Sequence, residues 1–343
     1  MPTVREIAEF ANVSKSTVSL VLNNKPGVSE EMRQLVLDAV SHLQAQEDHN
    51  EAASEKNADA GRVSFGAMLS IVVLHPPVLR SSHVFSEVLQ GIQTAAQTYN
   101  VQLRLVMNDR NASEGHVSHM YITDPNLRPD GVLVFGAQQN EPLLEIVSEQ
   151  NIPCVVLGRE VNKYDVSGIG RSETRYGYLA AKYLLELGHS AIAFVGGQQE
   201  YDYLHNRQQG YKQALEDAGV YCRKDWVQIG NGAEATEGVL EKAPEVTGMI
   251  YVNDSYASEG LSVLEDKGIA IPDEMSVISF DDTQFAQDYE PPLTSIYYNR
   301  FEEGKWAVKM LIDQIRFPYL ERVQTIFRAQ LVERDSCAPP RNS

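Results

Sequence analysis

A chain of 343 residues is long enough for two or three domains with real hydrophobic cores. Hydrophobic residues make up 43%, as in ordinary globular proteins, and a net charge of −18 repels a polyanion, so any contact with nucleic acid has to be local. Cys154, Cys222 and Cys337 are too few and scattered for a disulfide or metal framework, Met1 to Glu9 lacks a leader's apolar segment, and runs such as SIVVL are too short to cross a bilayer; the expectation is a reducing cytoplasm, with no membrane, metal or cofactor.

Residues 1–43 predict three short helices. Thr3 and Glu6 have the spacing of a capping box, and Val4, Ile7, Ala8 and Ala11 then share one helical face. Ser14 caps the second helix, ahead of Val18, Val21 and Leu22. That run stops at Asn23, Asn24, Pro26 and Gly27. Ser29 opens a third helix, with Met32, Leu35, Val36, Ala39, Val40 and Leu43 in helical register. Two short helices joined by a tight turn have the form of a helix-turn-helix, although a plain three-helix bundle fits the periodicity equally well. In a helix-turn-helix the second helix enters the DNA major groove, which here would present Lys15, Ser16 and Thr17, then Ser19 and Leu20. Residues 44–62 carry Glu47, Asp48, Glu51, Glu55 and Asp59 with two bases and no large apolar side chain, so a flexible acidic linker is expected, running to the start of the next domain at 66 (44–65).

From residue 66 onward, strand-length apolar runs occur at 69–74, 102–107, 131–135, 153–157, 191–195, 248–252 and 276–280. Helical periodicities lie between them, over about 84–99, 175–187, 207–218, 255–267 and 301–316. Near-continuous apolar strands alternating with helices imply an α/β class with parallel sheets covered on both faces. The stretch is long for one sheet, so two subdomains are expected.

The string Val13-Ser14, Thr17-Val18-Ser19, Val21-Leu22-Asn23 and Val28-Ser29 resembles the headpiece of the LacI/GalR family of bacterial transcriptional regulators. The segments LLELGHSAIAFVGG (184–197), NRQQGYKQALEDAG (206–219), NDSYASEGLSVLEDKGIAIPDEMSVISFDD (253–282), PPLTSI (291–296) and LVERDS (331–336) resemble that family's effector-binding core, in order. The resemblance implies a helix-turn-helix headpiece (1–43), the linker, and a periplasmic-binding-protein-like core (66–338) of two doubly wound parallel-sheet subdomains. One subdomain would take about 66–166 and 297–319, the other 167–296 and 320–338, with chain crossings near 166, 296 and 320 and a ligand cleft between them. The implied function is a non-enzymatic, sequence-specific repressor of carbohydrate-utilisation genes. It would act as a homodimer on double-stranded operator DNA under control of a mono- or oligosaccharide effector.

Carried over residue by residue, the headpiece contacts would be Thr3, Ser14, Lys15, Ser16, Thr17, Ser19, Leu20, Asn23 and Ser29. The effector contacts would be Phe85, Tyr201, Tyr203, Arg207, Asp254 and Tyr298. A guanidinium and a strand-end carboxylate suit sugar hydroxyls, and aromatic rings suit the apolar faces of a pyranose. The competing account makes Arg207 and Asp254 a structural ion pair and the aromatics plain core. Asp281 and Asp282 have the look of a glycosidase pair but fit a structural strand-end motif of the family. Two departures from the family stand out. Leu20 replaces an arginine common in the family, leaving only apolar contact such as a thymine methyl. The acidic linker lacks the basic, leucine-bearing hinge that enters the minor groove. Together they motivate an alternative, a cytoplasmic sugar-binding module with lost or altered DNA recognition.

Overall fold

The computed structural model describes residues 7–8, 10–11, 13–22, 25, 27–29, 32–37, 39–40, 68–75, 83–107, 117–124, 126–135, 141–159, 161–197 and 202–341. The chain divides into two compact units, Met1–Phe65 and Gly66–Ser343. Thr3, Asn23, Tyr201 and the linker 44–65 lie outside the described residues. Among the described residues no helix is long and apolar enough to cross a membrane.

In the smaller unit, the helix Lys15–Leu22 buries Val18 and Val21 against Ile7, Ala8, Ala11, Val36 and Ala39. These positions follow the 3.6-residue period, but Leu22 and Leu35, expected on the same faces, are exposed. Ser14 Oγ accepts from Thr17 N at 3.1 Å, which satisfies one of the helix's orphan N–H groups. Ser29 Oγ does the same for Met32 N at 3.3 Å.

The larger unit holds two six-stranded sheets. The first runs β11 (Gln324–Phe327), β5 (Ser167–Arg171), β4 (Cys154–Leu157), β3 (Gly131–Phe135), β1 (Leu69–His75), β2 (Val101–Met107), all parallel. The second runs β12 (Gln330–Val332), β10 (Thr294–Tyr297), β9 (Ser276–Phe280), β8 (Gly248–Tyr251), β6 (Ile192–Gly196), β7 (Val227–Ile229), with only β12 antiparallel. Strands buried on both faces read as unbroken apolar runs, as β3 and β4 do.

The chain changes sheet three times. The first passage follows β5 rather than residue 166, because β5 pairs with β4 and β11 in the first sheet. The second lies between Tyr297 and Arg300, since the helix Arg300–Arg316 packs on the helix His83–Tyr99 of the first lobe. The third follows β11 rather than residue 320. Gln324 explains that shift: its side-chain amide bonds Val161 N and O and Val166 O at 3.0–3.2 Å and ties β11 to the loop before β5.

Candidate functional site

On the helix Lys15–Leu22, Lys15, Ser16 and Ser19 are exposed while Thr17 and Leu20 are half-buried. The polar face therefore lies opposite Val18 and Val21 and is open to a partner. Ser14 is exposed, but its hydroxyl is engaged with Ser16, Thr17 Oγ1 and the Thr17 amide, so it stiffens the helix start. Ser29 is likewise an exposed cap.

In the core, the carboxyl ends of the parallel strands gather charged and aromatic side chains, where open α/β sheets place their ligands. Arg207 lies on the helix Asp202–Asp217, which crosses the helix Glu173–Glu186 closely. A side chain at Gly177 would run into the carbonyl of Arg207, so only glycine permits that approach. The guanidinium is 3% exposed. It donates to Glu173 Oε2 and to the Val252 carbonyl, both at 2.6 Å, and lies 3.9 Å from Asp281 Oδ1. It also sits over the rings of Phe280 and Tyr203, at 4.4 and 5.3 Å. Burial opposes its charge, yet Glu173 and Asp281 more than offset this and raise its pKa.

Asp254 is not the partner of Arg207. It accepts from Ser279 Oγ at 2.5 Å and from Thr283 N and Oγ1 at 2.7 and 2.8 Å, and it is 4% exposed. It thus ties the start of the helix Asp254–Asp266 to the loop after β9. Burial pushes its carboxyl up to about 6; Asp281 adds to the rise, and the three hydrogen bonds work against it.

The carboxylate bonded directly to Arg207 is Glu173, and Asp281, which the sequence alone assigns to structure, faces it from 3.9 Å. Asp281 and Asp282 both have positive φ, 97° and 50°, a conformation rare outside glycine. Such strain persists where surrounding contacts over-determine it. Here Arg300 Nη2 donates to the Asp281 carbonyl at 2.6 Å and approaches Oδ1 at 3.2 Å, while Arg334 lies 2.6 Å from Asp282 Oδ1. Asp281 keeps 16% side-chain exposure.

Phe85 is buried against His75 and Phe135, with ring centroids 5.2 Å apart in each case, at the ends of β1 and β3. Tyr203 is half-buried beside Arg207. Tyr298, 2% exposed, stacks on Tyr176 at 6.0 Å and carries the guanidiniums of Arg171 and Arg300 over its ring at 4.2 and 4.5 Å. Arg171 in turn pairs with Glu303 at 2.7 Å. Glu173, Asp281, Arg171 and Arg300 thus join the site, although nothing in the sequence singles them out as ligand contacts. The one sequence signal is the acid pair directly after the apolar run of β9.

A family model described as bacterial regulatory proteins, lacI family, matches residues 3–44, and one described as a periplasmic binding protein-like domain matches 181–337. The HTH-type transcriptional repressor PurR of Vibrio cholerae serotype O1 (strain M66-2) is 30% identical over 345 residues, spanning 98% of each chain. The transcriptional regulator CelR–cellobiose complex is 26% identical with a TM-score of 0.71, covering 98% of this chain and 100% of that one. A LacI family transcriptional regulator from Enterococcus faecium with bound ribose is 28% identical with a TM-score of 0.66, covering 79% and 99%.

Proposed function

Because the chain belongs to the LacI/GalR family and is a DNA-binding transcriptional repressor, we propose that it is a cytoplasmic homodimer that represses carbohydrate-utilisation genes under a mono- or oligosaccharide effector. Repressor relatives stand against the alternative of a sugar-binding module with lost or altered DNA recognition and against a glycosidase role for Asp281 and Asp282.

What favours a saccharide is the chemistry around Asp281. A partly exposed carboxylate stands beside Arg207, with Tyr203 and the Phe85 cluster at neighbouring strand ends. A carboxylate accepts from adjacent hydroxyls, a guanidinium donates to them, and aromatic faces cover the C–H faces of a sugar ring. The relatives solved with cellobiose and with ribose bound favour the same class. In this arrangement Asp281 and Arg207 meet the effector, with Phe85, Tyr201, Tyr203 and Tyr298 around it, and Asp254 holds the Asp281 loop in place. On the DNA side, Lys15, Ser16, Thr17 and Ser19 meet the groove, Leu20 adds an apolar contact, and Thr3, Ser14, Asn23 and Ser29 flank them.

A thermal-shift screen of the full chain with cellobiose, ribose and other saccharides, with nucleobases as the competing class, tests this. A bound ligand at 100 times its Kd stabilises by about 2.7 kcal/mol. A saccharide should raise the melting temperature and change the mobility shift of DNA from the protein's own upstream region. A shift with nucleobases alone would sink the saccharide assignment.

A further inference from the structure

We propose that Arg300 couples the effector site to the first lobe by dividing one guanidinium between Asp281 and Glu87; this deepens the effector proposal above and rests on it only for which ligand occupies the site. Arg300 opens the helix Arg300–Arg316, which is seated on the helix His83–Tyr99: a side chain at Gly304 would meet the Val88 carbonyl. The main chain of Arg300 therefore moves with the first lobe. Its side chain reaches the second. Nη2 holds the carbonyl and carboxylate of Asp281, at 2.6 and 3.2 Å, on the loop after β9. Nη1 lies 3.3 Å from Glu87 Oε2, in the second turn of the helix His83–Tyr99.

The two ends of this bridge differ. Arg300 has no exposed side-chain surface and Asp281 has 16%, whereas Glu87 has 37%. The Asp281 end is the firm one, and the Glu87 end is long and open to water. A hydroxyl that engages Asp281 changes how that carboxylate is shared, and the planar fork of the guanidinium passes the change to Glu87 as a reorientation. A single ammonium could not do this, because it cannot present two fixed donors in opposite directions. Tyr298, beneath the Arg300 guanidinium, limits the directions in which the fork can turn.

Hydrogen exchange on the full chain tests the link without any ligand. The amides of Asp281, Asp282 and Thr283 all bond within the second lobe, to the Ile296 carbonyl, Ser295 Oγ and Asp254 Oδ2. Their protection reports how firmly the loop is held. Glu87→Gln alters only a half-exposed side chain in the other lobe and should fold. With Glu87 neutral the water-exposed end of the fork holds less firmly, the guanidinium is freer to turn away from Asp281, and these three amides should exchange several-fold faster. In an Arg300→Lys background the same Glu87→Gln change should have no further effect on them. Unchanged or slower exchange at 281–283 in Glu87→Gln, or an equal Glu87→Gln effect in the Arg300→Lys background, overturns the proposal. The second pattern would mean that Glu87 acts on the loop by a route that does not pass through Arg300. Exchange with cellobiose added forms a separate arm. If cellobiose leaves the wild-type pattern unchanged, that counts against cellobiose as effector, while the ligand-free arm has already decided the role of Arg300.

Discussion

Asp254 ties the start of its helix to the loop that carries Asp281. Its carboxylate is enclosed by donors, yet burial and the nearby Asp281 still raise its pKa from 3.8 to about 6. Below about pH 4 the group is protonated in both folded and unfolded chains and costs nothing. Between about 4 and 6 the unfolded chain gives up the proton and the native protein keeps it, so stability falls as pH rises through that window and levels off above it. The shift corresponds to a loss on the order of 3 kcal/mol. Asp254→Asn can still accept from Thr283 N, and its amide can donate to Ser279 Oγ, so the variant should lack this slope. Urea unfolding of both proteins at several pH values should show the Asp254→Asn variant gaining on wild type from pH 4 to 6. A difference that stays constant with pH would mean that Asp254 is ionised in the native protein throughout.

At the scale of elements, legibility follows hydrophobicity. The central strands β1, β3, β4, β6, β8 and β9 announce themselves as apolar runs because both their faces are covered. β5 reads SGIGR and shows no run, since its burial comes from backbone pairing and from Gln324 rather than from large side chains. β7, β11 and β12 are short edge strands, at most half-buried, whose composition resembles loops. Those omissions place two crossings several residues early. In the site, Arg207 and Asp254 are visible by position, but the approach of Asp281 to the arginine, beside Glu173, depends on the left-handed turn at Asp281, and no periodicity encodes that. The crossing of the helices Glu173–Glu186 and Asp202–Asp217 is equally silent in the sequence, although Arg207 depends on it. Gly177→Ala would press a methyl into the Arg207 carbonyl, so the helices must separate. Such overpacking costs about 1–3 kcal/mol. Chemical unfolding should show that loss, together with a weaker response to effector. An alanine variant as stable as wild type would mean that the crossing yields freely and does not set the arginine's position.

For the whole molecule, the question is how a protein of net charge −18 holds DNA. Residues 1–43 contain Arg5, Lys15, Lys25 and Arg33 against Glu6, Glu9, Glu30, Glu31 and Asp38, a net charge of −1. Long-range attraction is therefore absent, and affinity has to come from close contacts, with helix N-termini adding N–H donors to phosphates. Counterion release gives log K a slope of about −0.9 per phosphate neutralised, so two headpieces with roughly eight cations in all cannot exceed a slope of about −7 against log salt. A steeper measured slope would show that bases outside residues 1–43 reach the DNA. Lys15 tests the same argument singly. It is exposed at the first turn of the helix Lys15–Leu22, and the buried residues of that helix are Val18 and Val21. Lys15→Ala should leave the unfolding curve unchanged. If Lys15 neutralises a phosphate in each headpiece of a dimer, the variant should weaken binding to every DNA sequence and flatten the salt slope by about two. A loss confined to the operator, with the slope unchanged, would instead place Lys15 on a base edge. Unchanged affinity at every salt concentration would remove it from the interface altogether.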